Sequence, residues 1–497
     1  MKKINYLKYS VVAVLLVSFV GCNDILERTE PATSVSGEVV LTSPDGVNAL
    51  RTSMYSKMNT SFTYTTEYFV APSAFTDETR NRPGSSRYQA LNAAVGTSGT
   101  VHIASWGAYY NVIQDANLIL GAVGPDVLPA ATLDRYRGEA LALRAFALHN
   151  LVRVYGYEPG NFGQGPEANW DTGVVVRTEP VIDVTDADLR PRSSVTDVYT
   201  QILQDLSDSK ALLAGVNANN TFVTEAFVDG LTARVNLYAG NWGAAATAAQ
   251  NAITNSGRTL ENTAGGVADM FDEGIGGHPE ALLKLVVNPD TEGGGFGNTG
   301  PATYTSDGFL AQLPTQFLID KYDPADLRLG WYRDCAAAQR IALNQPTGCA
   351  DVNTNGFSLV KFNGAKGNNV DDMPMMRIAE MYLILAEAQA KAANSPAAGA
   401  AALDELRQAR GLDPIAVANP GALADITSFE DEILDERMRE LALEGHRFFD
   451  LKRLQRDIRN PNGSIKMFAD SYRILAPIGE GLRNVNGELV ENPGYQN

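Results

Sequence analysis

The sequence predicts a mainly α-helical protein in which helix pairs carry long loops. Most of the long segments repeat their apolar residues every three or four positions, which is the spacing of one buried helix face. Two alanine-rich segments, Tyr238–Ile253 and Met381–Gly411, have the small residues that let paired helices approach closely. The stretches between helices are rich in Gly, Asn, Pro and aromatic residues, which is typical of irregular loops. These predicted loops are Thr60–Gly99, Gly156–Pro180, Val287–Gly308 and Asp334–Asn369.

The clearest periodic segment is Val195–Leu213, where Ser193 or Ser194 can cap the helix N-terminus. The same apolar spacing predicts further helices along the chain. They cover Leu133–Tyr155, Thr224–Ala239, Met375–Ala393, Ala397–Arg410 and Phe429–Arg459.

The segment after Tyr238 has the residue spacing of the second half of a tetratricopeptide unit. Its small and aromatic positions are Gly240, Trp242, Ala245, Ala249 and Ala252. The second alanine-rich pair turns at Asn394–Pro396. The sequence therefore predicts isolated tetratricopeptide-like helix pairs and not a regular tandem array.

The N-terminal 21 residues have the features of a cleaved lipoprotein signal. Lys2, Lys3 and Lys8 precede the short apolar run Val11–Val20, and a small residue stands directly before Cys22. The run is about half as long as a membrane-spanning helix, so we expect cleavage before Cys22 and lipidation of that cysteine. An ordinary signal peptide is the alternative.

The net charge limits which binding partners are expected, and the cysteine content predicts a disulfide. The net charge of −18 disfavours nucleic acid and anionic lipid headgroups, so the only expected membrane contact is the lipid anchor. With Cys22 lipidated, Cys335 and Cys349 remain as a pair in an oxidising compartment. We expect them to form a disulfide.

Several segments, taken in order, resemble the SusD/RagB family of outer-membrane nutrient-binding lipoproteins. They are Cys22–Pro31, Gly138–Gly156, Arg192–Leu206, Met373–Ala388, Glu436–Arg453 and the final ENPGYQN. The resemblance implies a SusD-like α-α superhelix with a loop-rich region and minor β-hairpins. It also implies two interlocked regions, residues 22–270 and 271–497.

The same resemblance implies a function. Such proteins lie at the outer membrane with the folded part on the cell surface. They bind oligosaccharides, or in some members peptides, and deliver them to a SusC-like TonB-dependent transporter. They are not enzymes and carry no cofactor. A helical glycoside hydrolase and a pure scaffold are the remaining alternatives.

The loops supply the chemistry that sugar binding requires. Flat aromatic faces cover the apolar side of a pyranose, and amides or arginines meet its hydroxyls. Residues of these types in the loops are the candidate ligand contacts, although Asp77 and Glu78 could instead pair with the arginines. The candidates are Tyr64, Tyr68, Phe69, Arg80, Asn81, Arg82, Tyr88, Trp170, Phe296 and Tyr304.

Other motifs carry less chemistry. Glu436, Glu440 and Glu444 are spaced by four and interleave with arginines, which predicts an ion-pair ladder and not a catalytic carboxylate pair. Gly295–Gly300 formally matches a dinucleotide motif, but Pro301 follows where a helix should begin. Asp351–Gly356 matches half of a calcium loop, so a structural calcium site and a plain polar turn both remain open.

The predicted disulfide can be tested by titrating free thiols in the denatured, unreduced protein. We expect no reactive thiol from Cys335 or Cys349, and two after reduction. The bond would close a loop of about 15 residues and contribute roughly 3 kcal/mol to the free energy of unfolding. Two reactive thiols before reduction would contradict the prediction.

Overall fold

The structure, a computed structural model, confirms a mainly helical protein with 54% helix and a few short strands. It describes residues 37–59, 66–82, 85–86, 88–93, 102–182, 189–271, 278–288, 311–334, 356–362, 366 and 370–495. Cys22, Cys335, Cys349 and the calcium-loop residues 351–355 lie outside this part of the chain. None of the helices in it has both the length and the apolar character that crossing a bilayer requires.

The N-terminal helices are α1 (Gly37–Thr42), α2 (Pro44–Met58), α3 (Thr66–Ala74), α4 (Gln89–Ala93), α5 (Trp106–Gly121), α6 (Ala130–Tyr155), α7 (Val195–Leu212), α8 (Glu225–Tyr238), α9 (Trp242–Ser256) and α10 (Ala264–Asp269). The C-terminal helices are α11 (Gln316–Ile319), α12 (Ile378–Ala393), α13 (Pro396–Ala409), α14 (Ile415–Ala418), α15 (Ile426–Glu440), α16 (Arg447–Arg453) and α17 (Glu480–Val485). Short 3₁₀ turns lie at Leu327–Trp331, Pro420–Leu423 and Tyr472–Ile474.

Within the described residues, the strands form four two-stranded antiparallel sheets. They are β1 (Thr79–Asn81), β2 (Ala281–Leu285), β3 (Gln312–Pro314), β4 (Tyr332–Asp334), β5 (Phe357–Leu359), β6 (Met373–Arg377), β7 (Ile458–Arg459) and β8 (Ile465–Met467). The pairs are β1 with β3, β2 with β6, β4 with β5, and β7 with β8. Three of these pairs join segments that are distant in the sequence.

The helices pack in a continuous row. Its order is α2, α5, α6, α7, α8, α9, α12 and α13, with each helix in contact with the next. The contact between α9 and α12 crosses the predicted boundary at residue 270. Because one hydrophobic core extends from Leu50 to Leu489, both halves of the sequence are buried against each other.

Local capping explains where several helices begin. Ser194 caps α7 by accepting a hydrogen bond from the Asp197 N–H at 2.9 Å. Thr224 caps α8 through the Phe227 N–H at 3.2 Å. These contacts confirm the predicted starts of both helices.

The two alanine-rich pairs have the predicted tight turns. Gly240, between α8 and α9, has a φ of 72°, and Asn394, between α12 and α13, has a φ of 48°. At Gly399 of α13 an added Cβ would lie 2.1 Å from the Ala386 carbonyl oxygen. Only a residue without a side chain lets α13 pack this closely on α12.

Two predicted helices have different bounds. The segment Phe429–Arg459 is not one helix, because Leu443 and Gly445 take positive φ angles of 58° and 80° between α15 and α16. A Cβ at Gly445 would lie 1.9 Å from the Tyr68 carbonyl oxygen, so the break lets this turn press against α3. The prediction for Met375–Ala393 starts too early, since Met375–Arg377 belong to β6.

A buried ion-pair cluster connects the C-terminal elements. Arg377 binds Glu440 at 2.9 Å and Glu444 at 2.7 Å, and Arg410 binds Glu440 at 2.8 Å. Its members are Glu280, Asp326, Arg328, Lys361, Arg377, Arg407, Arg410, Glu436, Arg439, Glu440 and Glu444. The predicted ion pairing is confirmed, but most of the cations come from other elements and not from α15 itself.

Two of the three arginines expected in that ladder have other partners. Arg437 pairs with Asp450 at 2.7 Å, and Arg447 pairs with Asp77 at 2.9 Å. Only Arg439 pairs with Glu436, at 2.6 Å. The helical spacing predicted that these charged residues lie near one another. With the break after α15, two of the three arginines pair with other carboxylates.

We expect the substitution Glu440→Gln to lower the free energy of unfolding by about 3–5 kcal/mol, because it removes a buried carboxylate that Arg377 and Arg410 share. Glu179→Gln is the matched control, since the Glu179 side chain is 63% exposed in its pair with Arg190 and its loss should cost about 0–1 kcal/mol. Denaturant unfolding of both variants measures the difference. Equal small losses would contradict a structural role for the cluster.

Candidate ligand-binding site

A short sheet brings together two distant loop regions that the sequence marked for ligand binding. β1 pairs with β3, with Arg80 opposite Leu313 and Asn81 opposite Gln312. Just beyond β1, the Arg82 N–H donates to the Ala311 carbonyl at 2.9 Å. The sheet therefore places Arg80, Asn81 and Arg82 beside the point where the segment carrying Phe296 and Tyr304 rejoins the described chain.

Amide side chains brace this sheet. The Gln312 side chain donates to Asn81 Oδ1 and accepts from Thr79 Oγ1 at 2.9 Å. Asn92 donates from Nδ2 to the Thr79 carbonyl at 3.0 Å, and Asn81 donates to the Ser85 carbonyl at 2.9 Å. The Asn81 side chain thus makes some of its hydrogen bonds within the fold. Its remaining hydrogen-bonding capacity would be available to a ligand.

Arg80 is the cation that this sheet leaves available. It is half-buried, and burial lowers its pKa. Its guanidinium has no hydrogen-bond or ion-pair partner among the described residues. Asp77, a predicted alternative partner, instead binds Arg447 at 2.9 Å. A guanidinium in this position can donate several hydrogen bonds to hydroxyl or carboxylate groups.

Glu78 does not pair with Arg80 either within the described structure, and its side chain is buried. Burial raises the pKa of Glu78 to about 8, against the opposing effects of Ser73 and Arg447. Its backbone carbonyl accepts a hydrogen bond from the Thr315 N–H at 2.9 Å. Glu78 therefore belongs to the support beneath the sheet and is protonated at neutral pH.

The structure corrects two of the predicted contacts. Tyr68 and Phe69 lie on α3 and are buried in the core, where Tyr68 packs on Phe146 and Phe69 on Phe362. Their rings are covered by protein, so they cannot stack on a sugar. The apolar run Tyr68–Ala71 is helical and faces inward, a signal that the loop interpretation of Thr60–Gly99 missed.

The other aromatic candidates lie in different parts of the chain. Tyr88 is half-buried beside the sheet and takes a φ of 56°. Trp170 is half-buried elsewhere, where its indole N–H donates to Asn492 Oδ1 at 3.2 Å. Tyr64, Phe296 and Tyr304 lie outside the described residues. The structure thus brings Arg80, Asn81, Arg82 and Tyr88 together and leaves Trp170 apart from them.

The carboxylates of Glu436, Glu440 and Glu444 lack the chemistry of a glycosidase pair. Burial alone would raise the pKa of Glu436, but Arg328 and Arg439 lower it to about 2. Arginines overcome the same burial effect at Glu440 and Glu444, whose pKa values also fall below the usual range. A glycosidase needs one carboxyl group that stays protonated, and none of these three does.

Metal ligands are not grouped in the described part of the chain. Among those residues, no set of three or more His, Cys, Asp or Glu side chains is placed to hold a metal ion.

Comparisons with known proteins match both parts of the chain. A family model described as "Starch-binding associating with outer membrane" matches residues 26–237, and the SusD family model matches residues 336–495. The chain belongs to the SusD/RagB family. The order of the two SusD/RagB matches agrees with the order of the sequence segments that resemble this family.

Individual relatives agree along their whole length. SusD-like protein P38 from Formosa agariphila is 23% identical, over 92% of this chain and 93% of its own. A SusD superfamily protein from Bacteroides thetaiotaomicron has a TM-score of 0.75 at 21% identity, covering 91% of this chain and all of its own. A laminarin-binding SusD-like protein has a TM-score of 0.70 at 21% identity, with 91% and 100% coverage. These structures share the SusD-like fold with this chain.

We expect Glu78→Gln to stabilise the protein increasingly as the pH rises. Glu78 has a folded pKa of about 8 against an ordinary value of 4.5, so its burial costs nothing below pH 4.5 and costs most above pH 8. The difference between variant and wild type should reach about 4–5 kcal/mol at high pH. Denaturant unfolding at pH 4.5, 6.5 and 8.5 measures it.

Glu179→Gln again serves as the exposed control and should show no such growth. A stability difference for Glu78→Gln that stays constant over this pH range would contradict the raised pKa.

Proposed function

We propose that this protein is a surface-exposed outer-membrane lipoprotein that binds oligosaccharide or polysaccharide and delivers it to a SusC-like TonB-dependent transporter. The observation that carries the proposal is the SusD/RagB membership, with matches at both ends of the chain. The protein acts by capture and release, without chemical change to the ligand.

A glycan ligand is supported by the family and by the site. The N-terminal match is to a model described as starch-binding, and one structural neighbour is described as laminarin-binding. At β1 and β3 the chain offers a half-buried arginine and amides, and Tyr88 directly precedes α4, which contacts β1. These groups can meet sugar hydroxyls, while Tyr64, Phe296 and Tyr304 supply the stacking faces in our proposal.

The location and partner follow from the N-terminal segment and the family. Lipidation of Cys22 would anchor the folded body beside the membrane without a spanning helix. The transporter would then lie directly beneath the protein, and closure over it would confine the captured sugar before transport.

The experiment is affinity electrophoresis of the chain beginning after Cys22, in gels that contain neutral or acidic polysaccharides. We expect at least one polymer, with laminarin and starch as the first to be tried, to retard the protein without release of reducing ends. Release of reducing ends would favour a glycoside hydrolase. No retardation by any polymer would reject the glycan proposal, and peptides would then be tested as the ligand.

We expect Arg80→Ala to weaken binding of the retarding polymer about tenfold or more, because hydrogen bonds from a charged donor contribute about 1.5–3 kcal/mol each. Arg190→Ala is the matched control, since Arg190 lies on the surface in a pair with Glu179. Its affinity should equal that of the wild type. Equal affinity for Arg80→Ala would remove Arg80 from the site while leaving the capture function standing.

A further inference from the structure

A small cavity lies inside the protein between α3, the start of α5, α6 and α16. Its volume of about 10 Å³ is enough for one water-sized occupant. The lining includes Tyr68, Ser105, Asn150, Arg153 and Phe449. No residue of the proposed glycan site at β1 and β3 lines it.

Arg153 faces this cavity as a buried cation without a carboxylate. The residue is 1% exposed, and its guanidinium lies 4.2 Å from the centre of the Phe449 ring. One terminal nitrogen donates to Asn150 Oδ1, and the other lies 3.4 Å from the Tyr238 hydroxyl. Its Nε–H has no acceptor among the described residues. An arginine keeps its charge in proteins, so the positive charge stays inside.

The neighbouring cations differ from Arg153, because each of them is paired with a carboxylate. Arg234 binds Glu380 at 2.6 Å, and Lys452 binds Glu158 at 2.9 Å. His149, four residues before Arg153 on α6, adds no charge, since burial holds its pKa well below the usual range. The described surroundings of Arg153 therefore contain one uncompensated positive charge.

The start of α5 adds to the positive potential at the same place. Ser105 occupies the N-cap position of this 16-residue helix, yet its side chain makes no capping hydrogen bond. Its hydroxyl is buried and has no partner within the described structure. The N-terminal end of a helix carries a partial positive charge, which favours an anion nearby.

We propose that this cavity binds a single chloride ion, held by the Arg153 Nε–H and the Ser105 hydroxyl beside the N-terminus of α5. A water molecule would satisfy the hydrogen bonds but would leave the buried charge uncompensated. Sulfate, phosphate and carboxylates are too large for the volume. A larger open cavity of about 410 Å³ has Ile103 as a lining residue in common with this one.

Chloride that binds only the folded protein must raise its stability as chloride increases. We therefore expect the melting temperature to rise from sodium gluconate to sodium chloride at equal ionic strength, because gluconate cannot enter the cavity. Crystals grown with sodium bromide should show one anomalous peak in the cavity beside Arg153 Nε. Equal melting temperatures and no bromide peak would mean that the cavity holds water only, and would overturn the proposal.

Two variants assign the effect to this site. Arg153→Met should abolish the difference between chloride and gluconate. Arg144→Met is the matched control, since Arg144 is an equally buried arginine of α6 whose charge is already balanced by Asp205 at 2.6 Å. It should melt at a lower temperature but keep the full chloride effect.

Ser105→Ala keeps the test decisive where Arg153→Met does not fold. It removes one proposed ligand at little cost to packing, so it should reduce the chloride effect and the occupancy of the bromide peak. A chloride effect that survives in Arg153→Met, or that is unchanged in Ser105→Ala together with an empty cavity in bromide crystals, would overturn the proposal.

Discussion

The buried ion-pair cluster around Glu440 is the constraint on which the C-terminal half depends. A buried charge is costly unless several partners surround it, and Arg328, Arg377 and Arg410 each reach carboxylates from more than one element. Arg377 of β6 and Arg410, directly after α13, meet on Glu440 of α15. Because both arginines bind the same carboxylate, this contact fixes how β6, α13 and α15 are placed relative to one another.

That constraint extends to the ligand-binding sheet through the turn after α15. The chain turns back so that Glu444 also reaches Arg377, and Gly445 then packs directly on the backbone of α3. Arg447, two residues further along the chain, pairs with Asp77, which lies just before β1. The same pairing that anchors the segment also keeps Asp77 away from Arg80, so the structural network leaves Arg80 available for a ligand.

The sequence proposed a region for the ligand site but not which of its residues are accessible. It marked aromatic and polar residues between Thr60 and Gly99, of which Arg80, Asn81, Arg82 and Tyr88 are only half-buried. It could not separate these from Tyr68 and Phe69, because residue type alone does not distinguish a buried aromatic from an exposed one. That distinction depends on which face of α3 meets Phe146 and Phe362.

The sequence by itself determined most of the long helices, the cap of α7, the tight turns and the family, because apolar spacing, capping and turn chemistry act within a few residues of chain. The tertiary structure alone decided which charges pair, since Arg234 and Glu380 are 146 positions apart and Arg447 and Asp77 are 370 apart. It also decided which cations stay uncompensated. Arg80 and Arg153 resemble the other arginines in sequence, and only the folded arrangement of carboxylates around them sets them apart.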